Sequence, residues 1–326
     1  MQKLSGLEYL KIDVCNCWGN DKGTWSDRLY WFNKNEPYLE ELVIKADKKI
    51  LYAKAVKAYR QVMQGKPVGH MMYLDATASG PQLMAALSGC RKTAHATNML
   101  DPTVRIDIYS IAVNGMNEYL DYNEEVDRSM VKMPLISHYF NKGEQETLTE
   151  RQQDAFYTVL DDKFPGAELV KETATVHWDY SAKSHTLIYP DGHTAFLPVT
   201  EYANTRIEID ELNHAKITLR HKINKPSVNS SSLTANIIHS TDAYVAREMI
   251  RRCHTVNVQV CPIHDAFASH CNDMNVVRQT YIDIIAEIAK ADFLNDLLVQ
   301  LGSEEKFINL SNDLHLDILN SEYMLC

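Results

Sequence analysis

The chain has 326 residues, 45% of them hydrophobic and 23% charged, with a formal net charge of −10. This length accommodates two average domains or one large interleaved one, either with a substantial core, and the composition is that of an ordinary soluble globular protein. No run approaches a membrane span, the first residues lack the apolar core of a signal peptide, and the acid surplus runs against casual nucleic-acid binding.

Local clusters of base do occur: Arg220-His221-Lys222 with Lys225, and Arg251-Arg252. Of the seven cysteines, Cys15 and Cys17 are too close for zinc-ribbon spacing and no Cys/His quartet completes a site. Reduced thiols in a cytoplasmic protein are expected.

Leu10, Ile12 and Val14 alternate with polar neighbours, which predicts a half-buried strand. Residues 37–64 read as a helical region that buries Leu42, Leu51, Ala53, Ala55 and Val62 and stops at Gly65-Lys66-Pro67. Next, a short apolar run ends in Asp75, a Ser79-Gly80-Pro81 turn follows, and Leu83–Leu87 resumes at helical spacing. That predicts a strand, a carboxylate at its tip, a turn and a helix. Such an acid is either a helix cap or a reactive group held by a rigid strand.

A helix is predicted from Asp107 to about Leu120, and another from near Glu124. On the latter, Arg128 and Lys132 are four residues apart and share a face, while Met130, Met133, Leu135 and Ile136 supply packing surface. The two cations mark either a solvated edge or a triphosphate site. Thr149 caps a polar helix to about Leu160, after which the periodicity turns strand-like. Thr186–Leu197 reads as a hairpin around Asp191-Gly192. Residues 206–210 and 216–220 form a second ribbon, suited to a DNA groove or to a subunit contact. A helix from Leu233 to Cys253, a second apolar run ending in Asp265, and one long amphipathic helix from Val276 to Leu301 complete the chain. On neighbouring strands, Asp75 and Asp265 would share divalent cations, and hard oxygen donors of this kind suit Mg²⁺.

These residues carry a resemblance. Asp75-x-x-x-Ser79-Gly80-x-Gln82 resembles motif A of the single-subunit RNA polymerases of phages and mitochondria, Arg128-x-x-x-Lys132 resembles motif B, and His264-Asp265 resembles motif C, in the family's order. Asp13-Val14-Cys15-Asn16, Trp18-Gly19-Asn20-Asp21-Lys22, Asp107-Ile108-Tyr109, His239-Ser240-Thr241-Asp242 and the tail 317–323 are similar to further family elements.

The resemblance implies an α/β (α+β) right-hand polymerase fold. The palm would span residues 1–103 and 241–326, and the fingers 104–240, with a specificity-type hairpin at about 200–224. The thumb and N-terminal domain of the family are not expected. Two Mg²⁺ ions would be held by Asp75, Asp265 and the Ala76 carbonyl, Lys132 would act on the phosphates, and Arg128, Tyr109 and His239 would contact the nucleotide. Ser79, Gly80, Gln82 and His264 would support them. The chain looks like the large catalytic subunit of a heterodimeric phage enzyme in the cytoplasm of an infected bacterium. It would work with a second subunit, template DNA, an RNA transcript and nucleoside triphosphates, and with no membrane.

One departure stands out. The family places a tyrosine eight residues after the lysine, next to a glycine, to screen the sugar 2′ position. Here that position is Phe140, followed by Asn141, while Tyr139 lies one residue early. Either residue could occupy the sugar-sensing place. A related DNA polymerase, a primase-like nucleotidyltransferase and a non-catalytic scaffold subunit are the alternatives.

Overall fold

Ser5 and Glu8 cap each other's backbone and start a helix, α1 (Gly6–Trp18), which ends at Gly19 with φ +111. The expected strand through Leu10, Ile12 and Val14 is therefore a helix. Tyr9, Asp13, Cys15 and Cys17 are buried as well, so the helix is enclosed on most sides and its alternation carries no strand signal. The same capping box, built from Thr24 and Asp27, starts α2 (Trp25–Asn35).

The computed structural model describes residues 1–139, 147–177, 179, 181–226, 231–304 and 306–326. After α2, two short 3₁₀ turns lead to α3 (Lys49–Met63), so only the second half of the helical region predicted at 37–64 is a regular helix. Then come β1 (Met71–Asp75), α4 (Ser79–Ser88), α5 (Arg91–Ala96), α6 (Ile108–Tyr119) and α7 (Arg128–Tyr139). Helix α7 starts at Arg128 because the Asp127 carboxylate accepts from the Ser129 and Met130 amides at 2.8 and 3.0 Å. Thr149 caps α8 (Glu150–Lys163) as expected, and α9 (Pro165–Val176) follows at once where strand was expected. Pro165 at its first position needs no amide partner.

Strands β2 (Ser184–Ile188) and β3 (Thr194–Pro198) form one hairpin, and β4 (Thr200–Ile209) and β5 (Ala215–Pro226) form a longer ribbon. Helix α10 (Ser231–Thr255) runs unbroken through residue 240, where two regions were expected to divide. Next come β6 (Cys261–Ile263), β7 (Ala266–His270), α11 (Met274–Lys290), α12 (Phe293–Gln300) and α13 (Leu314–Ile318). The single long helix expected at 276–301 is two helices, because Ala291 is extended (ψ 157) and ends α11. Among the described residues, no helix is long and apolar enough to cross a membrane.

The site rests on a small antiparallel sheet of order β1-β7-β6. Asp75 is paired with Ala266, and β6 and β7 are joined by a two-residue turn, His264-Asp265. Helix α11 backs this sheet and packs on α4, α10 and α13, while α1 packs on α2 and α3, and α6 on α7 and α8. The C-terminal tail completes the platform. Leu325 bridges Ala76, the Cys326 amide donates to the Asp75 carbonyl at 3.0 Å, and the Thr77 amide donates to the Met324 carbonyl at 3.0 Å.

Candidate active site

Asp75 ends β1 and does not cap α4, whose N-cap is Ala78. Asp265 is not at a strand tip but in the β6–β7 turn. His264 takes φ +56 there, a left-handed conformation that histidine tolerates better than most residues, so the chain reverses in two residues. The Ala76 amide donates to the Asp265 carbonyl at 3.1 Å, which fixes the two acidic segments side by side.

Both aspartates line one cavity of about 450 Å³. Its walls come from the 76–81 segment, from Ile108 and Tyr109 at the start of α6, from α7, and from Ile238, His239 and Asp242 on α10. Asp75, Ala76, Ser79, Gly80, Tyr109, Arg128, Lys132, Tyr139, His239, His264 and Asp265 thus meet at one place. Phe140 lies outside the described residues. Gln82 is the predicted residue that stands behind the wall. It is buried, its amide group donates to Thr77 Oγ1, the Thr97 carbonyl and the Met324 carbonyl at 3.0, 2.9 and 3.1 Å, and it accepts from Tyr281 at 2.9 Å. Its role is to hold the loop after Asp75.

The electrostatics divide the cavity into two sides. On the acid side, burial and then the like charge of Asp265 raise the Asp75 carboxyl to about 6. Lys48 and Lys22 pull it back. The side chain is open to the cavity, so water screens part of this effect. Burial, followed by Asp265, also raises Asp242 to about 6. On the basic side, the Arg128 guanidinium bonds Asp107 at 2.8 Å and stacks on Tyr109, 4.7 Å from the ring centre. Lys132 Nζ lies 5.9 Å from the same ring, exposed to the cavity. Tyr109 is therefore a shared platform for the two cations. Tyr139 is buried, and its hydroxyl has no hydrogen-bond partner among the described residues. An unsatisfied buried hydroxyl costs about 1–3 kcal/mol.

Crowded, mutually repelling carboxylates are a donor set that suits a hard divalent cation such as Mg²⁺. The oxygens of Asp75, Asp242 and Asp265 do not all come within 4.8 Å of one another, so they are not a closed protein chelate. Among the described residues the tighter spacing occurs at Glu208, Asp210 and His214 on the exposed end of the β4–β5 ribbon. There His214 Nδ1 already sits 2.9 Å from Glu208 and 3.2 Å from Asp210.

Sequence reasoning left Lys22 and Asp242 out of the site, although both stood inside quoted motifs. Asp242 follows His239 by three residues, one helical turn on, which was the available signal. The Arg251-Arg252 cluster is not a free basic patch. Glu248 and Glu287 neutralise it at 2.5–2.9 Å.

A family model described as DNA-dependent RNA polymerase matches residues 2–142. That range holds Asp75, Tyr109, Arg128, Lys132 and Tyr139, while His239, Asp242 and Asp265 lie beyond it. The chain is also similar to a probable DNA-directed RNA polymerase of Gelasinospora sp. (strain G114), 21% identical over 367 aligned residues. The alignment takes in 92% of this chain and 43% of that protein, so the chain spans less than half the length of the relative it matches. Both similarities are to DNA-directed RNA polymerases.

Proposed function

We propose that this chain carries the nucleotidyl-transfer centre of a DNA-directed RNA polymerase, in a palm-and-fingers arrangement. The observation that carries this reading is the meeting of Asp75 and Asp265, from opposite halves of the chain, across one cavity from Arg128 and Lys132. One side is suited to cations and the other to phosphates.

Asp75 and Asp265 would hold two Mg²⁺ ions, with the Ala76 carbonyl assisting. Mg²⁺ there would favour the ionised 3′-hydroxyl and offset charge on the phosphates. The residues of the chain do the rest. Arg128 and Lys132 bind the triphosphate, and the 3′-oxygen, its proton released to water, bonds the α-phosphorus as the bond to the α–β bridging oxygen breaks and Lys132 Nζ offers a proton to the departing pyrophosphate. For Arg128 this requires sharing its charge with Asp107. The unpartnered Tyr139 hydroxyl is the group we assign to the sugar, with His239 in the wall of the same cavity. A hydroxyl that gains its partner only from a ribose 2′-hydroxyl discriminates against deoxynucleotides.

The Gelasinospora relative is one polypeptide and gives no support to a separate second subunit. A two-chain phage enzyme rests on the sequence resemblance alone, and the polypeptides that co-purify with the chain decide it. The proposed activity is tested by template-directed extension of a primer, with ribo- and deoxynucleoside triphosphates offered in parallel. Extension with ribonucleotides supports it. Extension only with deoxynucleotides would assign the same centre to a DNA polymerase.

A further inference from the structure

The acid surplus of the chain is unevenly spread. Between residues 45 and 57 there are five lysines, Lys45, Lys48, Lys49, Lys54 and Lys57, against one acid, Asp47. All five lysines are exposed, and none forms an ion pair among the described residues. Arg60, further along α3, is by contrast bound by Glu36 and Glu40. Lys49, Lys54 and Lys57 fall on one face of α3 and, with Ile50 and Ala53, line a shallow depression. Ile50 is 80% exposed.

This face is tied to the catalytic cavity. The Asp47 and Lys48 amides donate to the Trp18 and Cys17 carbonyls at 3.2 and 3.1 Å, which joins the start of α3 to the end of α1. The loop that follows α1 carries Lys22 into the cavity wall. Positive charge thus occurs both in the cavity wall, on Lys22, and on the exposed face of α3, whose start is joined to the helix that precedes Lys22.

We propose that the lysine face of α3 seats the phosphodiester backbone of a nucleic-acid strand running to or from the catalytic cavity. The proposal rests on the polymerase reading for the direction of that strand. Lysine is a mobile point charge that grips phosphates without reading bases. The rise from Lys49 to Lys57 is about 12 Å, roughly three to four nucleotide steps of 3.4 Å. An acidic polypeptide is the competing occupant, and it needs a broader apolar centre than Ile50 and Ala53 provide.

The test measures binding of a short labelled primer–template to the full chain across a salt series, without nucleotides or metal. The variant is K49Q/K54Q/K57Q, and the control is K3Q/K34Q/K290Q, three exposed lysines outside α3. Each lost phosphate contact lowers the slope of log K against log salt by about 0.7–0.9. The α3 variant is therefore expected to lose about 2 from the slope, with a native circular dichroism spectrum, while the control keeps it. An unchanged slope overturns the proposal. So does equal loss in the control, or competition by polyglutamate as strong as by unlabelled DNA, which would assign the face to an acidic polypeptide. Because no turnover is involved, normal binding by a chain that adds no nucleotide even with the polypeptides that co-purify with it would sink the polymerase reading and leave this one standing.

Discussion

Asp75 and Asp242 both have carboxyls raised to about 6 from an ordinary 3.8, and that sets a sign for the pH dependence of folding. Between about pH 4 and 6 the folded chain holds protons that the unfolded chain has released, so stability falls as pH rises through this window. Above it the full penalty is present. Asp75→Asn and Asp242→Asn are each expected to melt higher than wild type near pH 7.5, with the gain vanishing below about pH 4. Thermal unfolding across that range checks this, and a variant less stable than wild type at neutral pH contradicts it. Across the cavity, Lys132→Ala should lower kcat by about 100-fold, the low end of a general acid's contribution. Arg128→Ala should act mainly on KM. Steady-state extension kinetics separate the two, and wild-type values for both variants would make α7 a solvated face. Tyr139→Phe should reduce the preference for ribo- over deoxynucleotides by roughly five- to thirty-fold, the loss of one hydrogen bond of about 1–2 kcal/mol. An unchanged ratio of incorporation efficiencies would leave that hydroxyl without a role in sugar choice.

The C-terminal tail shows how elements hold the site. Glu322 lies in a nearly dry pocket, where Arg278 and Trp25 Nε1 donate to it at 2.5 and 2.7 Å. Arg278 also donates to Tyr9 at 2.8 Å and stacks on Trp25, which packs on Tyr323. One buried cluster therefore joins α1, α2, α11 and the tail that hydrogen-bonds Asp75 and Thr77. Removing one member of such a pair leaves a buried charge alone. Glu322→Ala is expected to cost about 3–5 kcal/mol, read as a lower denaturation midpoint, and a change within experimental error would contradict the clamp. None of this was visible from spacing, because the cluster draws its members from both ends of the chain. The local signals that sequence did offer were of unequal value. Thr149 and the Asp191-Gly192 turn located α8 and the β2–β3 hairpin correctly, since capping and turn chemistry act within a few residues. The Leu10-Ile12-Val14 alternation misled because burial on most sides of α1 erased the helical period, and the Ser5/Glu8 box beside it was the stronger signal.

At the scale of the whole molecule, the residues that line the cavity were more legible than the fold that gathers them. Each acid ended or followed an apolar run and each cation sat at helical spacing, so the chemistry could be read from short stretches. Their convergence depends on the β1-β7-β6 sheet and on α10, which no short stretch encodes. Asp242, one helical turn after His239, and the five lysines between residues 45 and 57 were both present as local signals, and only their position relative to the cavity needed the fold. The acid surplus of the chain does not exclude nucleic-acid binding, because Lys22, Arg128 and Lys132 line the cavity and five lysines cluster between residues 45 and 57. The most direct test of the central claim is addition of a single ribonucleotide to a labelled primer on a DNA template with Mg²⁺. Wild type and Asp265→Asn are compared, each with any polypeptide that co-purifies. The account predicts that Asp265→Asn loses about 10³-fold or more of the rate, the scale of removing a group that meets developing charge, while binding primer–template as wild type does. Extension at the wild-type rate by Asp265→Asn would contradict it.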